Sequence, residues 1–423
     1  MPLFSELKSN LNAQNPVRYL KSAFWLSVGK VASMAVSLLA TFYIARSLGP
    51  QNFGELSYAQ SVLGILALFG ALVGSLYRDI VRSPKEEGKL LGTGWIVSFS
   101  AAFATSVLAG LYVLTTPHDT LTIWVIGILC LGQFFSPFAI IQNVFYAKTE
   151  TKLLSISNFF IHVLVSLAKI FAMMSGQGVL ILASIMLLEQ IIIALVYVTL
   201  YIKIHGGSLK DWYFDRTYAK QLISDSTPIM IFTASSMIAA RIDQIFIKHY
   251  LDMTTVGLYG VTVQLSDIFH MLPAILLIAI FPAIINGKAN LGFYRTRLFT
   301  LFGSFFVYGI AGAIFLTLVA NYAIPLIYGP AFTGSIALVQ IYIWSLPGLI
   351  VGFAVTHFLI AENLRRIQII SGVLPMLMNV TLNYYLIPVW GAPGAAIATV
   401  ISTSIYPILP FMFKSTRNCV RNK

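Results

Sequence analysis

Long apolar stretches, separated by short polar segments, recur from one end of the chain to the other. A helix needs about 20 apolar residues to cross the hydrocarbon core of a bilayer. Trp25, Trp95, Trp124 and Trp390 fall near the ends of such stretches, where an amphipathic ring prefers to lie. The pattern predicts an all-α, polytopic membrane protein with twelve transmembrane helices, at residues 23–47, 54–76, 91–114, 121–145, 154–174, 179–202, 226–248, 256–285, 298–320, 334–360, 367–387 and 394–413.

One pattern in these stretches occurs twice. Ile44–Ser61 reads IARSLGPQNFGELSYAQS, and Ile247–Gln264 reads IKHYLDMTTVGLYGVTVQ. A single offset of about half the chain length aligns the two segments and pairs Gly54 with Gly257. A similarity at one offset indicates an internal repeat.

A second, shorter similarity supports this repeat. Tyr146–Leu154 (YAKTETKLL) and Ile360–Gln368 (IAENLRRIQ) both follow the fourth predicted span of their half. Because each half has an even number of spans, both enter the membrane from the same side, which predicts two six-helix bundles related by a pseudo-two-fold axis along the membrane normal. The predicted parts are an N-terminal tail, the first bundle, a linker, the second bundle and a C-terminal tail, at 1–22, 23–202, 203–225, 226–413 and 414–423.

The composition excludes an ordinary soluble domain, because only 10% of the residues are charged and 58% are hydrophobic. The net charge of +12 is unevenly distributed. Lysine and arginine occur in the tails and in alternate loops, but not in the loops at 115–120, 175–178, 321–333 and 388–393. This asymmetry places both termini in the cytoplasm, and it explains the basic charge by membrane topology rather than by nucleic-acid binding.

The sequence contains few signals for other chemistry. Cys130 lies in a predicted span and Cys419 in the C-terminal tail, so no disulfide framework is expected. The polar N-terminus has no apolar core with a cleavage site, and we interpret it as a cytoplasmic tail rather than a signal peptide. Since no metal cluster, nucleophile elbow or phosphate-binding loop is present, neither a catalytic site nor a cofactor is predicted.

The candidate functional residues are therefore the ionisable groups inside the spans, each of which costs roughly 2.5–3.5 kcal/mol to insert. Lys30 and Arg241 lie on the first and seventh spans, which are equivalent in the two halves, so both are expected to reach one central cavity. Lys169 and Lys248 are further cationic candidates for this cavity. A cationic cavity suits an anionic group such as pyrophosphate, because arginine offers paired donors and lysine a point charge.

The acidic residues in the spans have two open interpretations. Glu189 either pairs structurally with Lys169 or belongs to an ion-coupling site, and Asp243 either braces local structure or takes part in coupling. Asp267 and His270 lie three residues apart on one helical face. They form either a proton-coupling site, since histidine titrates near neutral pH, or a hydrogen bond between helices.

Four motifs carry a resemblance to a known family, and the resemblance covers nearly the whole chain. The sequence resembles the polysaccharide-transporter branch of the multidrug/oligosaccharidyl-lipid/polysaccharide exporter superfamily, and within it the bacterial O-antigen flippases. Asp243 matches the family pattern in the seventh span, whereas Lys30, Lys169 and Glu189 are not assigned by the resemblance. The motifs are Ala45–Ser61, Arg241–Gly260, Ile327–Ser335 (IYGPAFTGS) and Asn383–Ser402 (NYYLIPVWGAPGAAIATVIS).

The resemblance implies an inner-membrane protein that moves an undecaprenyl-pyrophosphate-linked oligosaccharide, the O-antigen repeat unit, from the cytoplasmic to the periplasmic leaflet by alternating access. It implies no enzymatic step and no cofactor. The expected partners are the lipid-linked oligosaccharide, the bilayer, and the O-antigen polymerase and chain-length regulator.

Three alternatives remain open at this point. A multidrug exporter of the same fold usually moves organic cations, which Lys30 and Arg241 would repel. An O-antigen polymerase or ligase resembles multi-span proteins with a large periplasmic loop, whereas every predicted outer loop here is short. The third alternative is a membrane scaffold for glycan assembly.

Overall fold

The computed structural model describes residues 16–67, 73, 75–286 and 291–421, and these residues form α-helices and short connections without a β-strand. Nine of the described helical segments are long and apolar enough to cross a membrane. The prediction of an all-α polytopic membrane protein is confirmed. The helices are α1 (Pro16–Leu66), α2 (Leu76–Arg82), α3 (Glu87–Thr115), α4 (Thr120–Gln133), α5 (Gln142–Ala147), α6 (Thr151–Met174), α7 (Val179–His205), α8 (Arg216–Tyr250), α9 (Met253–Asn286), α10 (Leu291–Ile327), α11 (Ser335–Tyr342), α12 (Leu346–Ala361), α13 (Arg365–Trp390), α14 (Ala392–Ile405) and α15 (Lys414–Arg421).

Most of the helices coincide with the predicted spans, but several spans differ. The twelfth predicted span (394–413) is helical only to Ile405 and ends in a turn and a 3₁₀ segment at Leu409–Met412. The first two spans form the two arms of α1, and the last part of the second span falls on residues 68–72 and 74, outside the described residues. The fourth and tenth spans are each interrupted by a 3₁₀ turn, at Ser136–Ile141 and Ile343–Ser345. Pro137 and Pro347 lie in or next to these turns, and proline cannot donate the backbone hydrogen bond that a continuous helix needs.

The two ends of the bundle differ in charge. The end that we call the basic end has the connections 83–86, 148–150, 206–215 and 362–364, with lysines and arginines in or beside them. The opposite end, the far end, has the connections 116–119, 175–178, 251–252, 328–334 and 391, which contain no lysine or arginine. The described connections therefore keep the charge asymmetry that the sequence pattern indicates.

The kink of α1 lies at the far end and has a counterpart between α8 and α9. Gly49 adopts φ +72°, a conformation that favours glycine, and Pro50 then occupies the first position of the second arm. At the equivalent place in the repeat, the Asp252 carboxylate accepts the N–H of Thr255 at 2.7 Å and starts α9. Two different capping signals thus produce the same break between consecutive helices.

The second sequence similarity corresponds to two turns of the same geometry, one after α5 and one after α12. Thr149 and Asn363 are the non-glycine residues of the described chain with positive φ, at 55° and 58°. In each turn the following residue, Glu150 or Leu364, donates its N–H to the carbonyl five residues earlier at 2.9 Å. This bond is the one that closes a Schellman motif at a helix C-terminus.

The equivalent glycines of the first similarity lie against each other where α1 crosses α9. A Cβ atom added to Gly54 would lie 2.0 Å from the carbonyl oxygen of Met253, and one added to Gly257 would lie 1.9 Å from that of Pro50. Pro50 and Met253 are equivalent positions of the repeat, as Gly54 and Gly257 are. The two glycines therefore make equivalent contacts. This reciprocity is what a two-fold relation between the two segments produces, and it brings the two backbones into direct contact at the far end.

The predicted linker over 203–225 is packed against the first bundle. A Cβ atom added to Gly92 of α3 would lie 2.5 Å from the backbone nitrogen and oxygen of Tyr213. The Asp215 carboxylate accepts a backbone N–H three residues later at 2.6 Å, so α8 begins at Arg216, inside the predicted linker. The connection between the bundles, 206–215, is therefore shorter than the predicted linker and closely packed.

Candidate functional site

A cavity of about 240 Å³ lies between the helices of the first bundle and those of the second. Both arms of α1, and helices α6 and α7, line one side, and α8 and α9 line the other. The lining is polar, with three residues that carry a charge. The lining residues are Ser37, Ala40, Thr41, Ile44, Phe53, Leu56, Ser57, Gln60, Ser166, Lys169, Leu182, Met186, Arg241, Gln244, Gly260, Val263, Gln264 and Asp267.

Arg241 reaches the cavity across the second arm of α1. Its Cγ lies 3.9 Å from where a Cβ of Gly64 would be, so the arginine stem packs against this part of α1. One turn further along α8, the buried Gln244 accepts a hydrogen bond from Ser61 at 3.0 Å, which fixes the distance between the two helices. Among the described residues the Arg241 guanidinium has no hydrogen bond or ion pair, so its donors are available to a ligand.

Lys169 also lines the cavity, but it is paired. Its Nζ donates to Oε2 of Glu189 at 2.8 Å, and Oε1 of the same carboxylate lies 3.1 Å from Nδ1 of His162. Lys169 and Glu189 form the ion pair that one of the two interpretations expects, with a histidine as an additional partner. The pair links α6 to α7 and at the same time holds the ammonium group at the cavity wall.

Asp267 lines the cavity from α9, and its side chain is 57% exposed. Its Oδ1 lies 3.6 Å from Nδ1 of His270, one turn along the same helix. The Nε2 atom of His270 is buried and has no hydrogen-bond partner among the described residues. The two residues thus share a face, as the sequence spacing predicts.

Two of the four predicted cations do not line the cavity. Lys30 is exposed on α1, seven residues before Ser37, the first lining residue of that helix, which places it about 10 Å towards the basic end. Lys248 lies two turns beyond Arg241, towards the far end. Helical spacing indicated which face of its helix each residue lies on. It did not indicate where along the helix the cavity lies.

The Asp243 carboxylate lies outside the cavity, in a polar cluster between α8, α9, α13 and α14. It is 2% exposed and accepts hydrogen bonds from Tyr259 at 2.5 Å, from Asn383 at 2.6 Å and from Thr399 at 2.6 Å. The described residues include no cationic side chain within 4.0 Å of it, and Oδ1 of Asn383 is buried without a partner. An uncompensated buried carboxylate is costly, so this cluster is a candidate site for a bound cation or proton.

Sequence reasoning missed the residues that surround Asp243. Asn379 and Asn383 are one turn apart on α13, and Asn379 donates to Thr399 and Ser402 at 3.3 Å. The available signal was the motif Asn383–Ser402, whose polar positions interrupt an apolar stretch. One sequence gave no means of pairing these positions with Asp243, more than a hundred residues earlier.

A second buried acid, Glu55, was also missed. It is 3% exposed on the second arm of α1, and it accepts a hydrogen bond from Thr122 at 2.5 Å. One turn further, the Tyr58 hydroxyl lies 2.7 Å from that of Tyr112 and 3.0 Å from Nε2 of His118. Glu55 falls at a predicted span boundary, where an acidic residue is usually exposed, and so it gave no signal.

Comparisons with known proteins place the chain in a family and a fold. A model of the family described as "Polysaccharide biosynthesis protein" matches residues 19–288. No curated protein sequence matches the chain significantly.

Three solved structures show which fold the chain has. A structure of the lipid II flippase MurJ in an inward closed conformation is 14% identical, with a TM-score of 0.74 over 93% of this chain and 89% of that chain. An inward-facing multidrug resistance MATE family transporter of the MOP superfamily is 14% identical, with a TM-score of 0.71 over 90% and 96%. A MOP superfamily transporter from Pyrococcus furiosus, for which a binding pocket of reversed polarity is described, is 15% identical, with a TM-score of 0.62 over 95% and 97%. At these identities the similarity shows the fold.

Proposed function

Since this chain belongs to the family of polysaccharide biosynthesis proteins and has the fold of MOP superfamily transporters, we propose that it is a flippase for a lipid-linked oligosaccharide. The proposed substrate is an undecaprenyl-pyrophosphate-linked O-antigen repeat unit, moved from the cytoplasmic to the periplasmic leaflet. The basic end then faces the cytoplasm, and the protein lies in the bacterial inner membrane with both termini inside.

The observation that carries this proposal is the chemistry of the cavity. Arg241 presents unpaired guanidinium donors, and Lys169 presents an ammonium group on the opposite wall. A pyrophosphate has several anionic oxygens that match a planar guanidinium fork on one side and a point charge on the other. Serine, threonine and glutamine side chains on the rest of the wall provide hydrogen-bonding groups for sugars.

In the proposed mechanism the pyrophosphate and sugars enter the cavity from the basic end, while the polyprenyl chain remains in the lipid. Lys30 is exposed on α1, between the basic end and the cavity. It is positioned there to attract the headgroup on its way to Arg241. The two bundles then move apart at the crossing of α1 and α9, and the headgroup leaves at the far end. Binding changes the relative stability of two conformations, and no covalent bond is made or broken.

A multidrug exporter of the same fold is the strongest alternative, because one of the similar structures is a MATE transporter. The unpaired Arg241 would repel the organic cations that such an exporter usually moves. A polymerase or ligase is less well supported, because the described far-end connections have at most seven residues and offer no room for a catalytic loop.

The function can be tested by complementation. The chain is expressed in a bacterium whose own O-antigen flippase has been deleted, and long-chain lipopolysaccharide at the cell surface is measured. We expect the long chains to return. If they do not return although the protein is inserted, and the same strain gains drug resistance instead, the exporter is the better assignment.

For the coupling ion we propose the Asp243 cluster. It offers a buried carboxylate together with the oxygens of Tyr259, Asn383 and Thr399, and oxygen ligands without a cationic side chain suit a small hard cation or a proton. The cluster connects α8 with α13 and α14, so an ion bound there would alter how these helices pack.

A stability measurement tests this coupling site. We expect sodium at constant pH, or acidification without sodium, to raise the melting temperature of the purified protein by several degrees, since a ligand that binds only the native state stabilises it. Asp243→Asn keeps the size and one acceptor oxygen but removes the charge, and it should abolish the response. If the wild type responds to neither ion, Asp243 is a structural brace only.

A further inference from the structure

The two carboxylates next to the cavity share an arrangement that the proposed function does not use. Glu189 lies 3.1 Å from Nδ1 of His162, and Asp267 lies 3.6 Å from Nδ1 of His270. Neither histidine is among the residues that line the cavity, and each ring lies beside a carboxylate. One pair belongs to the first bundle and the other to the second.

The charges around the cavity balance when both histidines are neutral. Lys169 and Arg241 contribute two positive charges, and Glu189 and Asp267 contribute two negative charges. In this state the net charge of these four groups is zero, although two cations are present. Each proton bound by a histidine adds a positive charge beside a carboxylate and leaves a lysine or arginine less compensated.

We propose that His162 and His270 together form a proton-binding site that sets the affinity of the cavity for an anionic headgroup. This inference rests on the proposed function, because it assumes that the cavity binds a pyrophosphate. Proton binding and headgroup binding then strengthen each other, since linkage between two ligands is reciprocal.

The geometry favours histidine as the group that changes charge. It is the side chain that ordinarily titrates between pH 5 and 8. At His162, Glu189 lies within hydrogen-bond distance, so a charged ring would have a carboxylate to accept its N–H. At His270, the separation of 3.6 Å from Asp267 is longer than a hydrogen bond, and attraction between opposite charges would shorten it.

Other ionisable side chains lie on the helices that pack against these two rings. They include Lys30 on α1, Glu189 on α7, Arg241 on α8, Tyr308 on α10, Tyr342 on α11 and His357 on α12, together with Lys169 and Asp267 on the same helices as the rings. His357 bonds to the carbonyl of Phe353 at 2.8 Å, and the described residues place no carboxylate beside it. It therefore serves as a matched control.

The test uses the full chain in lipid nanodiscs and farnesyl pyrophosphate as the probe. Its affinity is measured by titration calorimetry at about pH 6 and about pH 8, on either side of ordinary histidine titration. We expect the wild type to bind about tenfold more tightly at the lower pH, after correction for titration of the probe itself. The double variant His162→Gln with His270→Gln should lose this difference, and His357→Gln should keep it.

The proton uptake provides a second measurement. When the titration is repeated in buffers with different heats of ionisation, the wild type should take up protons on binding the probe, and the double variant should take up fewer. A double variant with the wild-type pH dependence and proton uptake would overturn the inference. A wild type that binds no probe at either pH would overturn the anion-binding cavity itself, and with it the proposed function.

Discussion

Replacing Arg241 by alanine should reduce the surface lipopolysaccharide of a complemented strain to the level of the strain without a flippase. Arg241 is the cavity cation without a partner among the described residues, so the alanine variant leaves Lys169, already held by Glu189, as the remaining cation of the lining. Removing one partner of a desolvated charge pair costs about 2–5 kcal/mol of binding free energy. A loss of this size lowers occupancy of the cavity by a factor of ten or more.

Matched variants separate the loss of binding from misfolding. Arg241→Lys keeps the charge but offers no planar fork, so we expect partial activity. Arg82→Ala removes an exposed arginine at the basic end and should leave the surface glycan unchanged. Normal glycan levels in Arg241→Ala, with wild-type abundance in the membrane, would contradict the assignment of this cavity to the headgroup.

The membrane fold could be predicted because it depends on local properties. Apolar length predicts a spanning helix, and the distribution of lysine and arginine distinguishes the basic end from the far end. The turns at Thr149 and Asn363 were also accessible, because similar segments adopt the same backbone geometry. The 3₁₀ turns that interrupt the helices near Pro137 and Pro347 were not predicted. An apolar stretch has the same hydrophobic pattern whether or not its helix is continuous.

The site could be predicted only in part, because it depends on depth and on pairing between distant helices. Arg241 lines the cavity, and its role in binding stays a prediction, but Lys30 and Lys248 lie on the same faces at other depths. Asp243 was recognised as unusual, yet its partners Asn383 and Thr399 lie 140 and 156 residues away. Hydrophobic periodicity contains no information about such pairs, and one sequence provides no covariation to replace it.

The contact between Gly54 and Gly257 gives the prediction with the second largest expected effect. Either residue changed to alanine should move α1 and α9 apart at the far end, because the new Cβ would lie 2.0 or 1.9 Å from a backbone carbonyl that has no rotamer to escape to. Relief needs a separation of about 1 Å or more, since atoms in contact lie at least 3 Å apart. We expect the conformation in which α1 and α9 touch at the far end to lose about 1–3 kcal/mol of stability, a typical cost of overpacking.

Spin labels on the far-end connections can measure this change. Gln177 belongs to the first bundle and Thr333 to the second, and both are exposed. Their distance distribution should shift to longer values in Gly54→Ala and Gly257→Ala, and the double variant should show the largest shift. Gly127→Ala is the matched control, because a Cβ there meets no atom within 4 Å. If the crossing variants keep the distances of this control, the contact does not hold the far end closed, and another contact between the bundles must do so. If the distances lengthen while surface glycan falls, the glycine crossing is the contact that has to open and close in each transport cycle. A transport cycle needs both conformations, so a change that favours one of them slows the cycle.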